Sequence, residues 1–342
     1  MNDKMTAYGF YDPQKDQSLP PIKKIQMAIP TPKEREILVE VKAVSVNPTD
    51  LATRMMKKSS DDSFTVLGRD VSGTVKKVGE EVTLFKAGDD VFYPGTSNIQ
   101  GAQADYHIID ERMAALKPKN LEHEEAAALP LTSLTSYEVI HDRLNLFSLK
   151  ENPSDITLLI IGAAGGVGSV ACQIASNYGF NVIGTASRDE SRLYVKNLGV
   201  KNIIDHTKAY KPQLQQIGIE TVDAIFIAAE ADKNIDEASK VIAPQGHICS
   251  LLPLSNALPG RFFGKSITFS YELMYTRSVY KTEDWIKQHE YLTELKNQVE
   301  QGFISSNLET HFKEMNEDTL KEAYQQLQSG HTVGKIVLSH NH

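Results

Sequence analysis

Cysteine is almost missing from this chain: Cys172 and Cys249 are the two thiols among 342 residues. Two thiols cannot build a four-cysteine structural zinc site, and they do not make a disulfide framework. Both fall in apolar runs, where a cysteine serves as a small buried hydrophobe. Long apolar runs are also lacking. No stretch approaches the ~18 residues of a membrane-crossing helix, and Met1 to Pro20 holds no apolar core of signal-peptide length, so the chain reads as cytoplasmic, with no membrane partner. An excess of positive charge is lacking too. With 36 Lys and Arg against 44 Asp and Glu the net charge is −8, which disfavours a broad nucleic-acid surface. Neither an internal repeat nor a low-complexity linker is visible, and the length predicts roughly two domains.

What is present organises around Ile156 to Gly168, an apolar run that leads into a glycine-rich turn. Ile156 to Ile161 is apolar on both faces apart from Thr157, as a parallel strand covered by helices should be. Beyond the turn, Val170, Ile174 and Tyr178 recur at helical spacing. A strand, glycine loop and helix in that order predict a dinucleotide-binding turn, with Ala163, Ala164, Gly165, Gly166, Val167 and Gly168 around a pyrophosphate at the helix N-terminus. The usual first glycine of the G-x-G-x-x-G pattern is here Ala163.

A second strand over Asn181 to Ser187 ends where NAD enzymes commonly carry an acidic residue for the ribose hydroxyls. Ala186, Ser187 and Arg188 stand there instead, which favours NADP(H), with Ser187 and Arg188 at the 2′-phosphate. The same residues also read as a helix start, Ser187 and Glu190 forming a capping box.

Residues up to about 125 read as short strands punctuated by proline and glycine, among them Ile37 to Val46, Val71 to Val78 and Ala104 to Ile109. Glu122 to Leu149 turns helical. Six strands then alternate with helices, at Ile156–Ile161, Asn181–Ser187, Asn202–Asp205, Ala224–Ala229, His247–Leu252 and Ser266–Tyr271. An amphipathic face follows on Trp285, His289, Leu292 and Val299, then a short strand near Thr310, a helix over Asp318 to Gln328 and a last strand at Lys335 to Leu338. The expected class is α/β: a β-barrel-like domain over 1–127 completed by 275–342, around a doubly wound parallel sheet over 128–274.

Several blocks in the right order carry a resemblance: Val46-Asn47-Pro48-Thr49-Asp50, Gly68-Arg69-Asp70-Val71-Ser72-Gly73, Phe85-Lys86-Ala87-Gly88-Asp89, Leu129 to Tyr137, the glycine loop and Gly334-Lys335. Together they resemble the medium-chain dehydrogenase/reductase superfamily, in its quinone-oxidoreductase-like branch, whose members are often named zinc-type alcohol dehydrogenase-like. The resemblance implies a GroES-like barrel beside a Rossmann domain, and hydride transfer from NADPH to a quinone or an α,β-unsaturated carbonyl.

Zinc-dependent relatives carry a cysteine where this chain has Asn47 and a histidine where it has Arg69, and neither replacement is a useful zinc ligand. The expectation is therefore an enzyme without zinc. The resemblance also puts Asn47 and Thr135 on the nicotinamide side and His206 near the adenosine phosphate. Some quinone reductases have a tyrosine where this chain has Ala52; Tyr93 is the candidate to replace it as proton donor. A homodimer through the sheet edge near Ser266 to Tyr271 is implied as well. Two other functions stay open at this point: a zinc-dependent alcohol dehydrogenase, and a non-catalytic protein that binds NADPH or nucleic acid.

Overall fold

The structure, a computed structural model, describes residues 4–11, 20–56 and 63–340. Its first strands are β1 (Lys4–Tyr11), β2 (Lys23–Ala28), β3 (Glu36–Ser45), β4 (Phe64–Val66), β5 (Asp70–Val78), β6 (Asp90–Pro94), β7 (Tyr106–Asp110) and β8 (Ala115–Leu116). The middle of the chain holds β9 (Thr157–Ile161), β10 (Asn181–Thr185), β11 (Asn202–Ile204), β12 (Val222–Ile227), β13 (Ile242–Ser250) and β14 (Thr268–Tyr271), and the last part holds β15 (Leu308–Phe312) and β16 (Lys335–Ser339). The chain divides into two compact units, Met1–Leu131 with Tyr275–His342, and Thr132–Met274.

In the first unit β1 pairs with β2 and β4 in a small sheet, and a larger sheet runs β15-β16-β3-β5-β6-β8, with β7 on β3. The β-branched run of β3 is mostly buried, which suits Val39, Val41 and Val44 to an inner strand with β5 on one edge and β7 and β16 on the other. Gly73 in β5 permits this packing, because a Cβ there would lie 2.2 Å from the Glu40 carbonyl oxygen. Register then places the site: Ser45 at the end of β3 faces Asp70 on one side and Val337 on the other. The turn after β3, the start of β5 and the start of β16 therefore meet at one end of the sheet.

The second unit is a six-stranded parallel sheet in the order β11-β10-β9-β12-β13-β14. Its central strands are apolar on both faces, and Leu159, Ile183, Ile225 and Ile248 lead a buried core that helices cover. The strand order reverses at β9, and in open parallel sheets ligands bind at such a point, outside the carboxyl ends of the strands.

Several local expectations shift. The helical stretch over Glu122 to Leu149 is broken into helices His123–Ala127 and Pro130–Tyr137, a π-helix over Glu138–Arg143 and a 3₁₀ turn over Leu146–Ser148. Pro130 opens its helix, where its missing N–H is harmless, and Asn145 takes a left-handed conformation at φ 45° that no α-helix continues through. Strand β10 stops at Thr185, before Ser187. β13 begins at Ile242, ahead of His247, because Pro244-Gln245-Gly246 is carried within the strand instead of forming a turn before it.

Candidate active site

The glycine loop joins β9 to the helix Gly166–Asn177. Gly162 takes φ +86°, a left-handed turn natural to glycine. A Cβ on Gly168 would stand 2.1 Å from the Gly162 carbonyl oxygen, so glycine there lets the helix close onto the turn. A Cβ on Gly165 would meet protein only at 3.4 Å, which leaves the outer side of the loop open. The first turn of a helix leaves its N–H groups without intrahelical acceptors, so Gly166, Val167 and Gly168 head an anion-binding end. This loop fits a pyrophosphate. Two supports were not evident in the sequence: Thr185 Oγ1 accepts from the Gly162 N–H at 3.0 Å, and Ser136 Oγ donates to the Val167 carbonyl at 3.3 Å. Thr135 is buried one residue before Ser136, in the helix Pro130–Tyr137.

At the end of β10, Ala186, half-buried Ser187 and exposed Arg188 lead into the helix Asp189–Asn197. The capping box sits one residue later than expected. Arg188 holds the cap position, and the Ser191 hydroxyl donates to its carbonyl at 2.9 Å while accepting from its N–H at 3.3 Å. Arg192, which the sequence did not single out, donates to the carbonyls of Ala186 and Ile203 at 3.0 and 3.2 Å. Its guanidinium is thus anchored at the ends of β10 and β11 with no carboxylate partner among the described residues. His206 lies two residues beyond β11, at the same end of the sheet as Arg188; its Nδ1 is buried and has no hydrogen-bond partner. The structure brings Ser187, Arg188 and His206 to one edge of the second unit.

In the first unit Asn47, one of the predicted residues, lies in a buried polar cluster. Asn47 is 1 % exposed; its Nδ2 donates to Asp70 Oδ2 at 2.9 Å and to the Ser45 carbonyl at 3.4 Å, and its Oδ1 accepts from Lys335 Nζ at 2.5 Å. Lys335 also donates to Asp70 Oδ2 at 3.0 Å and to the Val46 carbonyl at 3.1 Å. Asp70 Oδ1 accepts from the Leu131 N–H at 2.6 Å. Burial raises the Asp70 carboxyl above its ordinary range, and the Lys335 charge opposes that shift. Asp50, fully buried, accepts from the N–H groups of Gly68 and Asn47 at 3.0 and 2.9 Å. Burial pushes it up to about 6, against the nearby Arg69 charge and these two donors. Tyr275, also missed in the sequence, is buried beside the same turn and donates to Thr49 Oγ1 at 3.2 Å.

Tyr93 takes a different place from the one expected of a proton donor. It is fully buried, and its hydroxyl is 3.1 Å from His107 Nδ1, while His107 Nε2 lies 3.0 Å from the Gln100 carbonyl. A carbonyl oxygen only accepts, so Nε2 carries the proton. Burial lowers His107 to about 4, so the ring is neutral, Nδ1 is an acceptor and the phenol donates to it. The one hydroxyl proton of Tyr93 is committed inside the barrel.

The same unit can be tested against a zinc ion. Arg69 donates to the carbonyls of Thr96 and Ile99 and has no lone pair to offer. Asn47 and Asp70 spend their oxygens on Lys335, and among the described residues no group of three or more His, Cys, Asp or Glu side chains could hold a metal ion. These donors do not fit zinc.

Two family descriptions match the chain: zinc-binding dehydrogenase over residues 166–293 and alcohol dehydrogenase GroES-like domain over residues 33–119. A zinc-type alcohol dehydrogenase-like protein of Staphylococcus epidermidis is 38% identical over 315 residues, 91% of this chain and 92% of its own length. An NADPH-dependent alkenal/one oxidoreductase, chloroplastic, of Arabidopsis thaliana is 33% identical over 65% of this chain and 58% of its own length. A solved structure from Rhizobium etli CFN 42, described as a zinc-dependent alcohol dehydrogenase protein, is 37% identical and covers 99% of both chains with a TM-score of 0.94.

Proposed function

The chain belongs to the medium-chain dehydrogenase/reductase superfamily, among its zinc-type alcohol dehydrogenase-like members, and on that premise we propose a zinc-free, NADPH-dependent reductase of quinones or α,β-unsaturated carbonyls. The observation that carries this reading is the pairing, in one unit, of an open glycine loop with a strand end that bears arginine and no carboxylate. The loop N–H groups would hold the pyrophosphate, and Arg188, with Arg192 beside it, would hold the 2′-phosphate through charge-assisted bonds. His206 would offer its unpartnered nitrogen to the same end of the cofactor. Bound NADPH supplies hydride. Asn47 and Thr135 are proposed on the nicotinamide side, as the family likeness implies.

The choice of acceptor follows from the donor set. Reducing a simple ketone develops an alkoxide that a Lewis acid usually stabilises, and Asn47 and Arg69 are not ligands for one. A quinone or enone spreads the developing charge over its own conjugated system. The NADPH-dependent alkenal/one oxidoreductase relative supports that acceptor class.

The test is NADPH oxidation with a panel of enals, quinones and saturated ketones, run with and without a zinc chelator. The expected result is turnover of conjugated acceptors, faster with NADPH than NADH and unchanged by chelator. Turnover confined to saturated ketones or alcohols and lost in chelator would establish the zinc-dependent alternative. No oxidation with any acceptor, together with NADPH binding, would establish the non-catalytic one.

A further inference from the structure

The buried cluster around Asn47 contains a cation supplied by the chain itself. Lys335 opens β16 and is 4 % exposed. An ammonium has three N–H bonds, and all three are used, toward Asn47 Oδ1, Asp70 Oδ2 and the Val46 carbonyl. The acceptors bring together the turn after β3, the start of β5 and, through the Leu131 N–H bound to Asp70, the first turn of the helix at Pro130, adding side-chain bonds to the backbone pairing of β3 with β5 and β16. The arrangement also fixes which way the Asn47 amide faces. Its nitrogen has a carboxylate and a carbonyl as acceptors, and its oxygen has an ammonium as donor. Reversing the amide would set NH₂ against Nζ and oxygen against oxygen.

Such a pair is an uneconomical way to stabilise a fold, since two buried charges lose hydration that hydrophobic residues of similar volume would not need. The cluster's use lies in order. Arg69 extends the pattern: it is 3 % exposed and clamps the loop beyond β6 through the carbonyls of Thr96 and Ile99.

We propose that Lys335 is the resident cation of this site, a positioning residue whose ammonium orders the Asn47 turn and fixes the Asn47 amide, taking up the oxygens that a divalent metal would need. The effect on turnover rests on the reading of Asn47 given above; the effects on metal exclusion and on thermal stability do not.

Three measurements on the full chain test it. Wild-type protein exposed to excess zinc and then desalted is expected to retain no stoichiometric metal, and one tightly held zinc per chain would overturn the proposal. Lys335→Ala removes a side-chain end equivalent to propylammonium. Its melting temperature is expected to drop, and added propylammonium should restore much of it, whereas tetramethylammonium, which has the charge but no N–H donors, should not. Equal effects of the two cations, or none, would overturn it. Lys335→Met keeps the apolar stem without the charge and serves as the second variant should the alanine protein not fold. Its maximal rate with an enal is expected to fall by about tenfold or more. A rate within about twofold of wild type would return Lys335 to packing alone. If wild type itself turns over no acceptor, the functional reading fails, while the zinc and melting measurements still decide the role of Lys335.

Discussion

Tyr93 shows how a residue chosen for its chemistry can be assigned otherwise by its surroundings. Its hydroxyl proton is given to His107 in a fully buried pair, so Tyr93→Phe should leave His107 Nδ1 without a donor, at about 1 to 3 kcal/mol in a denaturant titration. The enal rate should change by less than about threefold. A loss near a hundredfold at unchanged stability would restore the phenol as proton donor. The same pair sets a pH dependence. Folded His107 stays neutral down to about 4 whereas an unfolded histidine takes a proton near 6.5, so the unfolded state binds more protons and stability falls as pH drops through that window. Asp50 acts in the opposite sense. It keeps its proton up to about 6 when folded and only to 3.8 when unfolded, so its contribution falls as pH rises from about 4 to 6. The two slopes oppose each other over nearly the same range. In Asp50→Asn the histidine slope should be less opposed, so stability should fall more steeply than in wild type between pH 6.5 and 4, with buried Asp70 still acting in the sense of Asp50. A variant as flat as wild type in melts across that range would rule this out.

At the level of elements, the strand, loop and helix at 157–177 were legible in the sequence because each rests on local chemistry: β-rich apolar residues, turn glycines, helical spacing. Gly168→Ala places a Cβ 2.1 Å from backbone oxygen, so the loop must spread. It should lower both melting temperature and NADPH affinity. Arg188→Ala should leave melting unchanged and narrow the NADPH over NADH preference by about tenfold or more, as loss of a charge-assisted bond would. Isothermal titration with both cofactors checks the pair, and an unchanged preference would remove Arg188 from the phosphate. What stayed illegible depends on distant partners. Lys335 stood in the sequence as the opening of the last strand and, with Gly334, as part of the resemblance, but its three acceptors lie some 265 to 289 residues away. Arg192 carried no signal in the sequence, since its acceptors, the carbonyls of Ala186 and Ile203, are brought to it by the fold. The break-up of the helical stretch after Glu122 was likewise hidden, since a π-helix keeps the composition of an α-helix.

For the molecule as a whole, strand β14 is an edge of the parallel sheet, paired among the described residues with β13 alone, and carries half-exposed Tyr271. An unpaired edge of this kind invites a second copy. Light scattering after gel filtration should give twice the 38.0 kDa chain mass, and a strictly monomeric peak would reject pairing through this edge. The connectivity of the first unit has another consequence, one that concerns birth instead of function. β16 lies between β15 and β3 in the larger sheet, and Val337 pairs with Ser45. On the ribosome, β3 is made early and meets β5 and β7 soon afterwards, but its Ala43–Ser45 end must wait through the synthesis of the whole second unit for β16. Thr132–Met274 is one uninterrupted stretch and can fold while translation continues. Until β16 is made, the Ala43–Ser45 end of β3 lacks that partner while β5 and β7 already pair with the rest of the strand, so a nascent chain halted before Lys335 leaves this end of the sheet open and is expected to be a client for a chaperone.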